Sequence, residues 1–268
     1  MIPSLLADSI TPNIDRAVHY ALLWGLEGLE LRTVGKANDR VPFVNEAKIR
    51  ARLDASELPV VAVAPAIFEG SIDDHTAHLN DVAQFQETLQ FCRRLACDRV
   101  VVAGFRVDDH SPGVSAESMS VAAATLKRIG EQAARAGISI CVLNEVGHAV
   151  DTGRRLREML DAVDHPGVQA AWDPVEALKA GEDPDEGLQH LLGQVGLVRC
   201  RNAARGGNGW EPRSIDSGEI RWPGQIETLH ASGFEGPISL VVDAEPRPKV
   251  GLRDATTLIH WIRRFRST

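Results

Sequence analysis

The sequence predicts a closed (β/α)₈ barrel, the TIM barrel arrangement of the α/β class, as a single domain over residues 1–268. Three observations carry this expectation. Eight short apolar runs recur along the chain, each followed by a longer stretch of helical spacing, which is the pattern of βα units wrapped on a parallel sheet. No low-complexity tract, charge block or linker divides them. A length of 268 residues with 44% hydrophobic content supplies the core of one large domain.

Strands are expected at residues 2–6, 28–32, 59–65, 99–104, 138–144, 168–172, 197–201 and 237–242. Thr11 is read as the N-cap of the first long helix, with Pro12 at its first position. Gly25, Gly137 and Gly233 stop helices shortly before the next strand. Residues 84–95 and 115–136 carry apolar side chains at helical spacing. The glycine-rich stretch from Arg205 to Gly209 follows the seventh strand and reads as a mobile flap.

Charge and cysteine usage narrow the function classes. Against 29 Lys and Arg stand 37 Asp and Glu, a net charge of −8, which works against nucleic acid or an anionic membrane surface as partner. A small-molecule ligand is expected instead, with association into homo-oligomers left open. Cys92, Cys97, Cys141 and Cys200 contain no Cys-x-x-Cys pair, so neither a disulfide framework nor a zinc knuckle is expected. The N-terminus lacks a basic n-region, and no apolar run approaches the roughly 20 residues of a membrane span. A cytoplasmic, reduced protein is the expectation.

In such a barrel, ligands bind where the strands end. The polar residues there are Glu30, Arg32, Arg106, Asn144, Glu145, Asp173, Arg199, Arg201, Asn202 and Asp243, with His75 and His78 beyond the third strand. Arg199 and Arg201 alternate with Cys200 and should face one side. With Arg32, Arg106 and Arg205 they make a receptor for a carboxylate or phosphate, or else ion pairs with Glu30, Asp173 and Glu145. Asn144 either binds a polyol or satisfies backbone groups at a strand end. His75 and His78 share a helix face, but Asp73 and Asp74 point to an ordinary solvated first turn. His148 is the other histidine best placed to meet a ligand. Trp172 and Trp222 read as packing residues, and Trp210 as one that closes over a ligand.

The second half carries an ordered set of phrases: Leu143-Asn-Glu-Val-Gly147, Asp151-Thr152, Trp172-Asp-Pro174, Gly181-Glu-Asp-Pro184, Val198-Arg-Cys-Arg-Asn-Ala203, Trp222-Pro223 and Gly233-Phe-Glu-Gly-Pro-Ile-Ser-Leu240. Together they resemble the xylose isomerase-like barrel superfamily of sugar-phosphate isomerases and epimerases. The resemblance implies one divalent metal held by Glu, Asp, His and Glu on the fifth to eighth strands, with two carboxylates shuttling a proton. Aligned on the phrases, those places hold Leu143, Asp173, Arg199 and Val241, so only Asp173 survives. Glu176 stands where many relatives carry a second histidine.

An always-charged guanidinium repels a metal. No metal or other cofactor is therefore expected, and Arg199 is expected to pair with Asp173. The leading reading is a sugar isomerase or epimerase-like barrel with a degenerate metal site, binding a small anionic sugar-like ligand such as a sugar phosphate or sugar acid. Its binding residues are Arg32, Asn144, Asp173, Arg199, Arg201 and Arg205. Any metal-free chemistry falls to Glu145 and Asp243. One alternative is an active metal-dependent enzyme using a displaced site of Glu145, Asp173 and Asp243; another is a regulatory or structural subunit. The endonuclease IV-like branch is set aside, because it needs a zinc-ligand cluster and a basic DNA face.

Overall fold

The computed structural model describes residues 1–36, 39–107 and 114–266. β1 (Ile2–Leu6) leads into α1 (Ala7–Ile10) and α2 (Ile14–Leu23), β2 (Leu29–Leu31) into α3 (Glu46–Asp54), and β3 (Val60–Val63) into α4 (His75–Arg94). β4 (Arg99–Val102) precedes α5 (Ala116–Ala134), and β5 (Ser139–Leu143) precedes α6 (Gly153–Val163). β6 (Val168–Trp172) is followed by α7 (Pro174–Lys179) and α8 (Pro184–Leu191). After β7 (Val195–Cys200) come β8 (Asn202–Gly206), β9 (Gly209–Arg213) and α9 (Trp222–Ala231), and the chain closes with β10 (Pro237–Leu240) and α10 (Arg247–Arg266). Eight strands form a closed barrel in the order β1-β10-β7-β6-β5-β4-β3-β2. Each expected strand is found, several shorter by a residue or more where the chain leaves the ladder to begin a loop.

Contacts group the chain into two compact units, Met1–Val61 with Leu197–Thr268, and Ala62–Gly196. In the first, β1 pairs in parallel with β10 through Ser4↔Ser239 and with β2 through Leu6↔Glu30, while β10 pairs with β7 through Ser239↔Arg199. The cap of α2 differs from the expectation: Asn13 accepts from the Arg16 amide, and Thr11 Oγ1 instead accepts from the Asn13 amide. The helix therefore starts two residues beyond Pro12. Gly25 and Gly233 do end helices, with φ of 75° and 78°.

The glycine-rich stretch after β7 lies within regular structure. Residues 202–213 form an antiparallel hairpin with Asn202↔Arg213 and Arg205↔Trp210 in register. Asn202 ties it down, donating from Nδ2 to the Ile215 and Ile220 carbonyls and accepting at Oδ1 from the Ala203 and Ile220 amides. Both hydrogens and both lone pairs of that buried amide are thus spent on backbone.

In the second unit, β5 lies between β4 and β6 with Val142↔Val102 and Leu143↔Ala171. Ser115 caps α5, and Gly137 (φ 70°) follows its end. α4 starts earlier than its apolar spacing suggests, because Asp74 caps it at the Ala77 amide. α6 and α8 approach so closely that a methyl on Gly153 would run into the Gly187 carbonyl. All four cysteines are buried and free, and no described helix is long and apolar enough to cross a membrane.

Candidate functional site

In the first unit, Ser4, Ser239 and Arg199 share one register row, and Glu30 lies opposite Leu6, two residues past Ser4. Side chains two apart on a strand share a face, so all four point the same way. β7 and β2 are separated by β10 and β1, which is three strand spacings or roughly 14 Å. Their side chains meet only across the concave inner face, and Arg199 does meet Glu30. Glu30 Oε1 accepts from Arg199 Nη2 at 2.6 Å and Nε at 3.2 Å. Glu30 is fully buried and Arg199 only 7% exposed, while Glu30 Oε2 has no hydrogen-bond partner. The hydroxyls of Ser4 and Ser239 lie 3.2 Å apart.

The other arginines of this unit also have partners. Arg32 Nε donates to Asp8 Oδ2 at 2.9 Å, and Arg201 Nη1 lies 3.5 Å from Asp243 Oδ2. Trp222, fully buried as expected of a packing residue, donates from Nε1 to the Arg201 carbonyl. Exposed Arg205 lays its guanidinium 4.8 Å from the ring centre of Trp210, its hairpin partner.

In the second unit, buried Asn144 takes the backbone role. Its Oδ1 accepts from the Asp173 amide at 2.8 Å and its Nδ2 donates to the Asp173 carbonyl at 2.9 Å. Asp173 Oδ1 caps α7 through the Val175 and Glu176 amides. Glu176 accepts from the Val146 amide and from Lys179 Nζ. Glu145 Oε2 lies 3.9 Å from His148 Nδ1.

His78 corrects another expectation. It is buried, not solvated, with Nε2 3.0 Å from the Ser71 carbonyl and its ring against Phe68 and Phe105. Apolar packing beneath the helix start outweighs the acidic first turn, and only His75 stays exposed. Sequence reasoning also missed Asp8, the partner of Arg32, and Glu182, whose carboxylate accepts from the Gly153 and Arg154 amides at the start of α6. An acidic residue serving a helix N-terminus from another element leaves no local signal.

Residues 18–264 match the family model described as a xylose isomerase-like TIM barrel. The chain belongs to this family. No curated protein matches it. Among solved structures it resembles an L-ribulose 3-epimerase (TM-score 0.79, 13% identity, covering 99% of this chain and 96% of that one). It also resembles the 3-keto-D-glucoside 4-epimerase YcjR of E. coli (0.74, 19%, 98% and 99%) and the IOLI protein with a bound zinc atom (0.75, 16%, 99% and 96%). At these identities the likeness concerns the fold.

The places that the sequence resemblance assigns to the ligands of a divalent metal hold Leu143, Asp173, Arg199 and Val241. Leu143 and Val241 offer no ligand atom, Arg199 is a cation, and one oxygen of Asp173 is committed to the α7 cap. Among the described residues no group of three or more His, Cys, Asp or Glu is placed to hold a metal ion.

Proposed function

We propose that this xylose isomerase-like barrel binds a small sugar-like ligand, a sugar acid or sugar phosphate, at the ends of its strands and without a divalent metal. The observation that carries the reading is Arg199: a buried guanidinium held at two nitrogens by Glu30, standing where the resemblance places the metal-binding histidine. A fixed cation disfavours a second cation and favours an anionic oxygen. The epimerases among the structural neighbours support the sugar-like class.

Asp8, Glu30 and Asp243 offset the charge of Arg32, Arg199 and Arg201. Affinity in this reading therefore comes from directed hydrogen bonds more than from net charge, and exposed Arg205 adds the attraction for an anion. Asn144 and Asp173 hold their strand ends in shape.

The test is a set of thermal melts with aldonates, sugar phosphates and polyols, with and without EDTA. A ligand at 100 times its Kd adds about 2.7 kcal/mol, or roughly 5–10 °C for a chain of this size. The expected result is such a shift with an aldonate or sugar phosphate, unchanged by EDTA and reduced in Arg201→Met and Arg205→Met. A stoichiometric bound divalent metal on which the shift depends would sink the reading.

A further inference from the structure

The segment after β5 is a tight turn with an unusual tenant. The His148 amide donates to the Glu145 carbonyl at 3.0 Å, and Gly147, third of the four residues, has φ of 80°. That conformation is the type II turn, which needs glycine at its third position. The loop after β4 fastens the turn: Val107 donates to the Gly147 carbonyl and Ala149 to the Phe105 carbonyl, each at 2.8 Å. An antiparallel bridge joins Arg106 and His148. His148 thus sits on a fixed platform at the strand end, where barrels of this kind place their chemistry.

The turn brings its first and fourth side chains together, which leaves Glu145 Oε2 3.9 Å from His148 Nδ1. The His148 side chain is 11% exposed, and its Nδ1 is buried with no hydrogen-bond partner. Glu145 is about half exposed and has room to turn. An unmet buried ring nitrogen costs on the order of 1–3 kcal/mol, and a carboxylate shift of about 1 Å would remove that cost. Catalytic hydrogen bonds are commonly this long before a ligand arrives.

We infer that Glu145 and His148 form a carboxylate–imidazole pair that moves the proton next to the carbonyl of a sugar-like ligand. This rests on the sugar-like ligand class proposed above. His148 is the catalytic residue, and Glu145 is the positioning residue that keeps the proton on Nδ1 and leaves Nε2 as the base. Nε2 takes the proton from the carbon beside the carbonyl, and the C–H electron pair becomes the C=C bond of an enolate. The imidazolium then returns the proton to carbon. Nothing is oxidised or reduced, and no co-reactant is consumed.

The test has two arms. D-fructose, L-ribulose and fructose 6-phosphate are each incubated with the full chain in D₂O, and proton NMR follows loss of the signal beside the carbonyl. Deuterium wash-in above the protein-free rate is expected with at least one probe, falling by roughly 10²–10⁴ in His148→Gln and about tenfold or more in Glu145→Gln. Independently of any ligand, ¹⁵N NMR of the imidazoles should show the Nδ1–H tautomer for His148, shifting toward Nε2–H in Glu145→Gln. An Nε2–H tautomer in the unsubstituted protein, no wash-in with any probe, or wash-in that survives His148→Gln overturns the pair. Ligand-induced melting shifts that persist in those cases leave the binding proposal standing.

Discussion

Replacing Glu30 by Gln keeps the shape of the side chain and removes its charge, which isolates what the carboxylate does for Arg199. The two hydrogen bonds that Oε1 accepts, at 2.6 and 3.2 Å, are both charge-assisted, and neither partner is more than 7% exposed. Taking away the carboxylate of such a pair removes two charge-assisted hydrogen bonds from a buried guanidinium, at a cost of about 3–5 kcal/mol. Gln retains one acceptor, so about 3 kcal/mol is expected, against a total stability of roughly 5–15 kcal/mol for a typical protein. For a chain of this length that lowers Tm by about 6–12 °C. Urea unfolding of the wild type, Glu30→Gln, Arg199→Met and the double variant completes a mutant cycle. The double variant should be more stable than Glu30→Gln alone, because Arg199→Met removes the buried guanidinium that has lost the Glu30 carboxylate. A Glu30→Gln variant within 0.5 kcal/mol of wild type would refute the reasoning.

Two further outcomes follow from the packing. Burial pushes the carboxyl of Asp254, on α10, up to about 6 from its ordinary 3.8, against the lowering effect of bonds from the Ser214 hydroxyl and the Ile215 amide. Its ionised form is disfavoured by folding, so its contribution is full below pH 4, is lost as pH rises to about 6, and amounts to about 3 kcal/mol. In Asp254→Asn, urea midpoints from pH 4 to 7 should lose that decline and stability at pH 7 should rise by about 2 kcal/mol; an unchanged pH profile counts against it. Gly153→Ala places a methyl against the Gly187 carbonyl, and backbone cannot turn aside as a side chain does. A loss of about 1–3 kcal/mol in thermal unfolding is expected, and a neutral result would show that α6 and α8 separate easily.

The barrel is legible in the sequence because strands buried on both faces must be continuous apolar runs, and each crossover helix must show helical spacing. β1 and β6 fall where the pattern places them, residue for residue. The β8–β9 hairpin is not legible, because glycine marks a turn without saying whether the flanking residues pair. His78 fails for a similar reason: Asp73 and Asp74 describe its neighbours in sequence, whereas Phe68 and Phe105 decide its burial. The Glu30 partnership joins residues 169 positions apart, and only the closed sheet brings them together. By contrast Glu145-Val-Gly-His148 is a local signal, a turn with chemistry at both ends, and could have been read directly.

Asn144 has a consequence for how this barrel tolerates change. The last register pair of β5 with β6 is Leu143↔Ala171, and beyond it the Asn144 amide group engages the amide and carbonyl of Asp173 as a peptide unit would. A side chain thus supplies one extra rung after the main chain has turned away. The seam stays sealed while the loop above it departs, so insertions or exchanges beyond Glu145 need not unzip the strands beneath. Chemistry at this rim can diverge without placing the wall at risk.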